Sequence, residues 1–239
     1  MNESVLKIQR ISESVFIGIA GHTKLFYTDL REPNIVKNFA YIDSYRNRRG
    51  NEQLNDGRFC SLSCNKTNPN EFAVGTNYNV KIFDFRQMKP RYEIHHCVNR
   101  KIMRGNNFHV SWSTNGKYIF IKDEEVCDRK KEELCFFWDV HNAERIVVPN
   151  KSRPLIVHSF NPNTWIDDHL IVSSEAYGVN AISPFYETKM MEQPIYPYAE
   201  PRFLAYNEKT LQLAGGLWQK IYIYSHYKLP PYPNTTSIQ

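Results

Sequence analysis

Short apolar runs punctuate this chain, and three of them stop at an acid. Residues 24–29 end on Asp29, residues 80–84 on Asp84 and residues 134–139 on Asp139, so the acids stand 55 residues apart twice (84 − 29 and 139 − 84). Each run is rich in residues that suit a pleated, half-buried surface: Leu25, Phe26 and Tyr27, then Val80, Ile82 and Phe83, then Phe136, Phe137 and Trp138. Upstream of the second acid, residues 59–64 alternate as a half-buried strand and Asn68-Pro69-Asn70 supplies a turn. Residues 72–76 then read as a buried strand, and Asn77-Tyr78-Asn79 turns the chain into the Asp84 run. The third unit keeps that order: residues 108–113, the turn Thr114-Asn115-Gly116-Lys117, residues 118–121, and a charged insertion over 123–133 before the Asp139 run. The first unit is read as residues 5–12, 15–20 and 24–29.

Two weaker units follow. The fourth combines residues 155–160, the turn Asn161-Pro162-Asn163, then 169–174 and 179–183, with Ser183 where the acid belongs. The fifth combines residues 202–206, 211–216 and 220–225, and the spacings 183 − 139 = 44 and 225 − 183 = 42 keep the register. The fold class expected is all-β: one array with units over 4–33, 58–90, 107–145, 154–189 and 201–228, insertions at 34–57 and 123–133, and a Pro-rich tail over 229–239. The acid is expected to close the fourth strand of its unit.

Self-similarity at this period, with strand-rich units ending in Trp138-Asp139, Phe83-Asp84 and Thr28-Asp29, resembles the WD-repeat β-propeller family. Trp138-Asp139 is the only literal dipeptide, and the Gly-His pair that opens such a repeat is missing, since Gly21-His22 falls in a turn just before the Asp29 run. The resemblance implies a WD-repeat-like β-propeller of about five recognisable blades, without the usual Asp-His-Ser/Thr-Trp relay in most of them. Blade cores would then rest on aromatic packing, for which 15 Tyr and 14 Phe are on hand. Family members usually carry seven blades, so an incomplete array with open edges is expected over a closed five-bladed ring. Met1 stands four residues before the first strand, so no earlier blade is expected.

Composition changes this picture little. A net charge of +5 over 239 residues, with scattered basic residues, forces no nucleic-acid footprint. Five cysteines (Cys60, Cys64, Cys97, Cys127 and Cys135) form no disulfide framework, no secretory pattern opens the chain, and no apolar run reaches the roughly 18 residues of a membrane span. A cytoplasmic or nuclear protein with reduced thiols is expected.

No residue set reads as a catalytic centre. His95-His96-Cys97 points its neighbours to opposite sides of an extended segment and cannot grip one ion. Asp167-Asp168-His169 occupies a turn, and Gly215-Gly216 lies at a strand end without a phosphate-cradling pattern. No metal, no cofactor and no enzymatic activity are expected.

The sharper signal follows the acids. Asp29-Leu30-Arg31 and Asp84-Phe85-Arg86 place an Arg two positions on, in consecutive units. With Val80 and Phe83 ahead of Asp84 and Arg86, and small residues Ala73, Gly75 and Thr76 before them, the second resembles the docking box of cullin-4 ubiquitin ligase substrate receptors. Thr28 departs from that box in the first unit. The resemblance implies docking onto the ligase's large adaptor, itself a propeller protein, through Asp29, Arg31, Phe83, Asp84 and Arg86. Arg46, Arg48 and Arg49, interleaved with Tyr41 and Tyr45, suit acidic or phosphorylated peptides, or RNA. The function expected is a non-catalytic scaffold for protein–protein interaction, with a ligase receptor and an RNA-associated propeller as alternatives.

Overall fold

The apolar runs become strands because their side chains alternate between two packed faces, and turn residues stop each run after five or six positions. In the computed structural model of the chain, residues 4–32, 36–41, 58–77, 79–87, 89–95, 108–123, 135–146, 163–168, 170–175, 178–183, 185, 203–207, 209–217 and 220–224 are described, and they contain strands and turns without a helix. Sheet 1 comprises β1 (Val5–Arg10), β2 (Val15–Ala20), β3 (Lys24–Asp29) and β4 (Val36–Tyr41). Sheet 2 comprises β5 (Phe59–Cys64), β6 (Glu71–Thr76), β7 (Asn79–Asp84) and β8 (Lys89–His95). Sheet 3 comprises β9 (Phe108–Trp112), β10 (Tyr118–Asp123), β11 (Cys135–Asp139) and β12 (Glu144–Ile146). Sheet 4 holds β13 (Asn163–Trp165), β14 (Ile171–Glu175) and β15 (Gly178–Ile182); sheet 5 holds β16 (Phe203–Asn207), β17 (Gln212–Leu217) and β18 (Lys220–Tyr224). Every sheet is an antiparallel meander in chain order. The described residues are therefore all-β.

Three expectations are corrected. The acids Asp29, Asp84 and Asp139 close the third strand of their sheets, and a further strand (β4, β8, β12) lies outside each. The stretch 34–57 is not a plain insertion, because Val36–Tyr41 pairs with β3. In sheet 4 the first strand paired to β14 is Asn163–Trp165, which begins on the last residue of the expected turn, while residues 155–160 lie outside the described residues.

Sheets pack through their first strands in succession: β1 on β5, β5 on β9, β9 on β13 and β13 on β16. Between sheets 1 and 2 the core is Ile17, Ile19 and Leu25 against Leu62, Phe72, Val74 and Phe83. Between sheets 2 and 3 it is Ala73, Val80 and Ile82 against Val110, Trp112, Ile119 and Phe136. Phe120 and Phe137 meet Trp165 and Ile171 of sheet 4, and Ile166 and Val172 meet Leu213 of sheet 5. Alternation along each strand serves two neighbours at once, one sheet per face.

Polar bonds set the spacing at these junctions. Ser61 Oγ donates to the Phe108 carbonyl (2.8 Å) and accepts from the Val110 N–H (3.0 Å), while Ser63 Oγ accepts from the Trp112 N–H (2.8 Å). Gly75 is required here, since a Cβ at that position would strike the Phe108 backbone. Trp165 Nε1 donates to the Ser111 carbonyl (3.1 Å), and the Gln9 carboxamide oxygen accepts from the Cys64 N–H (2.7 Å).

Aromatic contacts fasten strand to strand and sheet to sheet. Phe72 stacks on Phe83 with centroids 5.1 Å apart, and Phe137 meets Phe120 at 5.2 Å and Trp165 at 5.9 Å. Among the described residues Trp138 Nε1 is buried and has no hydrogen-bond acceptor; its cross-strand neighbours are Ile119 and Arg145.

Candidate functional site

The turns after β3, β7 and β11 share one construction. Each Asp carboxylate accepts the N–H of the residue two positions on: Arg31 (3.0 Å), Arg86 (2.9 Å) and His141 (2.8 Å). Such a side-chain bond mimics a backbone turn, which is why Asp rather than an apolar residue ends the run. The residue directly after each acid also donates back into the loop between the first two strands: Leu30 to Ser14 (2.8 Å), Phe85 to Asn70 (2.6 Å) and Val140 to Lys117 (2.9 Å). These turns and the loops between first and second strands therefore lie along the same end of each sheet.

Sheets 1 and 2 add a second layer. The Arg31 guanidinium forks onto Asp29, with Nε 3.0 Å from Oδ1 and Nη2 2.6 Å from Oδ2. Arg86 does the same to Asp84, with Nε 3.0 Å from Oδ1 and Nη2 2.8 Å from Oδ2. The acids are covered and the bases are not: side-chain exposure is 14% for Asp29 and 7% for Asp84, against 73% for Arg31 and 67% for Arg86. Hydrogen bonds from the Arg86 side chain, and then from its N–H, hold the Asp84 carboxyl down at about 2. The equivalent bonds from Arg31 hold Asp29 well below the usual carboxylate range, and both guanidinium groups are pushed up in return. Each Arg is thereby fixed in direction while its outer edge faces solvent.

The two forks are neighbours. Tyr27 of β3 meets Phe85, the residue between Asp84 and Arg86, edge to face at 5.0 Å. Lys37 of β4 lies 5.6 Å over the Tyr27 ring and 3.5 Å from Glu32. Arg31, Lys37 and Arg86, each paired with an acid, thus join Tyr27 and Phe85 in one edge of ion pairs and aromatic rings spanning sheets 1 and 2.

The other sequence-derived residues fall elsewhere. Phe83 is buried and stacked on Phe72, so it supports the second fork from inside the core. Arg46, Arg48 and Arg49 lie outside the described residues, as do His96, Cys97 and His169. His95 ends β8 opposite Asn79. Asp168 accepts from the Thr114 hydroxyl and ties the sheet 4 hairpin to that of sheet 3. Gly215 and Gly216 sit toward the end of β17.

One feature was not legible in the sequence. A cavity of about 540 Å³ opens where the first strands of sheets 1 to 4 end, with Arg10, Lys66, Asn65, Trp112 and Trp165 among its walls. Its residues come from four separated segments, so only packing assembles them. Cys64, also on this wall, has its thiol pushed up to about 12 by burial and stays protonated, while burial pushes the neighbouring Lys7 ammonium down.

Compared with known proteins, the chain matches no family model and no curated relative. Among the described residues no helix is long and apolar enough to cross a membrane.

Proposed function

We propose that this chain is a non-catalytic scaffold for protein–protein interaction, built as a WD-repeat-like β-propeller array of about five blades. Five meanders joined through their first strands support that architecture. The observation that carries the functional reading is the pair of Asp–Arg forks on one edge of sheets 1 and 2, bridged by Tyr27 and Phe85. A guanidinium held on a covered carboxylate loses little side-chain entropy when a partner engages it, and Arg and Tyr are the residues that dominate interface energetics. Affinity capture with the full chain tests this. The Arg31→Ala/Arg86→Ala double variant is expected to lose partners that the unaltered chain retains, with some drop in melting temperature but one cooperative unfolding transition well above the assay temperature. Retention of the same partners by the double variant ends the reading.

The second fork favours a more specific role, a substrate receptor of a cullin-4 ubiquitin ligase. Asp84 and Arg86 follow Val80 and Phe83 in the spacing of that docking box, and the Arg is presented outward. Direct binding to the ligase's large adaptor separates the two roles: a receptor binds it and loses it on Arg86→Ala, whereas a plain scaffold never binds it.

A further inference from the structure

The cavity at the ends of the first strands carries polar groups at two depths. Arg10, Glu13 and Lys66 are exposed and stand at its mouth, whereas Ser63 is only 9% exposed and the Ser111 and Thr164 side chains are half-buried in its deeper wall. The Trp112 and Trp165 indoles of that wall give their N–H groups to the Gly116 and Ser111 carbonyls, so they add no free donor.

The remaining donors are unspent. Ser61 shows a hydroxyl fully used at a sheet junction, since its Oγ accepts the Val110 N–H and donates to the Phe108 carbonyl. Ser63, two residues on, accepts the Trp112 N–H, and among the described residues nothing accepts its proton. The Ser111 and Thr164 hydroxyls have no hydrogen-bond partner among the described residues either. Arg10 gives Nε to the Ser12 carbonyl (2.8 Å), which leaves its two terminal nitrogens. On the docking edge Arg31, Lys37 and Arg86 each hold an acid; among the described residues Arg10 and Lys66 hold none, although Glu13 stands on the same rim.

We infer that this cavity is a binding site for a small phosphate ester with a hydroxyl-bearing body, a sugar phosphate in class. The phosphate lies at the mouth on Arg10 and Lys66, because a guanidinium edge and an ammonium both suit a group with three acceptor oxygens and nearly two negative charges. Oxygens of the body take the hydroxyl protons of Ser63, Ser111 and Thr164 deeper in. Donors at two depths are satisfied by a ligand charged at one end and hydroxylated at the other, and not by a bare anion. A space of about 540 Å³ lies in the range of small-molecule sites. The site shares no residue with the docking edge, although both open at one end of the sheets: Ser14, next to Glu13, takes the Leu30 N–H on its carbonyl.

Isothermal titration calorimetry of the full chain with glucose 6-phosphate and with inorganic phosphate tests this. The sugar phosphate should bind roughly 10-fold more tightly than inorganic phosphate, since only its body reaches the deeper hydroxyls. Arg10→Gln and Lys66→Gln, both at exposed positions, should each weaken the two ligands alike by roughly 10-fold. Thr164→Val keeps the shape of the side chain and should weaken the sugar phosphate alone, by roughly 3-fold. Glu13→Gln removes the acid at the rim and should tighten both ligands. Lys117→Gln makes the same charge change as Lys66→Gln at an exposed position outside the cavity and should alter neither. The inference is overturned if glucose 6-phosphate fails to bind at millimolar concentration or binds no more tightly than inorganic phosphate. It is equally overturned if Thr164→Val leaves sugar phosphate binding unchanged, or if Lys117→Gln weakens binding as much as Arg10→Gln, which would make the effect one of surface charge alone.

Discussion

The turns after β7 and β11 begin alike and end differently. Both rest on an Asp carboxylate that accepts the N–H two residues on, and both send the next N–H back to a hairpin carbonyl. After β7 the second carboxylate oxygen takes the Arg86 guanidinium; after β11 it takes the Asn142 amide at 3.0 Å, with the Asn142 N–H also on Oδ1. The acid is therefore a construction element of the turn, and the outward Arg is an addition made only in sheets 1 and 2. A docking edge is read from the second ingredient, not from the first.

The largest test of that division removes the acids. Asp84→Ala strips a buried carboxylate from the Arg86 N–H, Nε and Nη2 together and should lower Tm by about 5 °C, with Asp139→Ala costing somewhat less at its half-buried site. Thermal unfolding followed by circular dichroism checks both. Equal losses on Asp84→Ala and Arg86→Ala would mean that the guanidinium, rather than the turn, carries the stability.

Acid titration sharpens the same contrast. The Asp84 carboxyl is depressed to about 2 in the folded protein, against an ordinary value near 4 when unfolded. Its stabilisation is thus fully present above the unfolded value and is lost as pH falls from about 4 toward 2. Asp29 acts in the same direction. Asp84→Asn should flatten the fall in Tm between pH 4 and pH 2; an unchanged slope would remove Asp84 from the acid response.

The smallest effect is the most telling for function. His141→Arg places an Arg two positions after Asp139, as in the other two turns, and should move Tm by no more than about 2 °C, as surface substitutions usually do. If the edge of sheets 1 and 2 binds through paired forks, partner capture should stay as it was, because Tyr27 and Phe85 bridge only those two sheets.

Legibility of the fold followed the physics of each element. Strands buried on both faces, such as β6, β7 and β10, are apolar runs that turn residues bound, and they were found within about two residues of their ends. The outer strands were missed. β4 mixes Lys37 and Asn38 with Phe39, β8 carries Pro90 among charged residues, and β12 is three residues long. An outer strand packs on one side only, so its sequence relaxes toward a loop's composition. β13 was misplaced for a related reason: three residues give no period to read. The Asp-x-Arg spacing was visible, but the coverage of the acids, the outward set of the bases and the Tyr27–Phe85 bridge were not, since each depends on neighbours far along the chain.

By itself the sequence determined where chain direction changes and which residues build the turns, because alternation, turn chemistry and an Asp bonding two residues ahead are all local. Only the tertiary structure decided which faces are covered. Ala73 and Ile82 in one sheet and Ala214 and Ile223 in another are nearly the same words, yet the first pair lies under a neighbouring strand and Ile223 faces open solvent. Burial is a property of what packs against a strand, and a strand carries no local record of whether its partner has arrived.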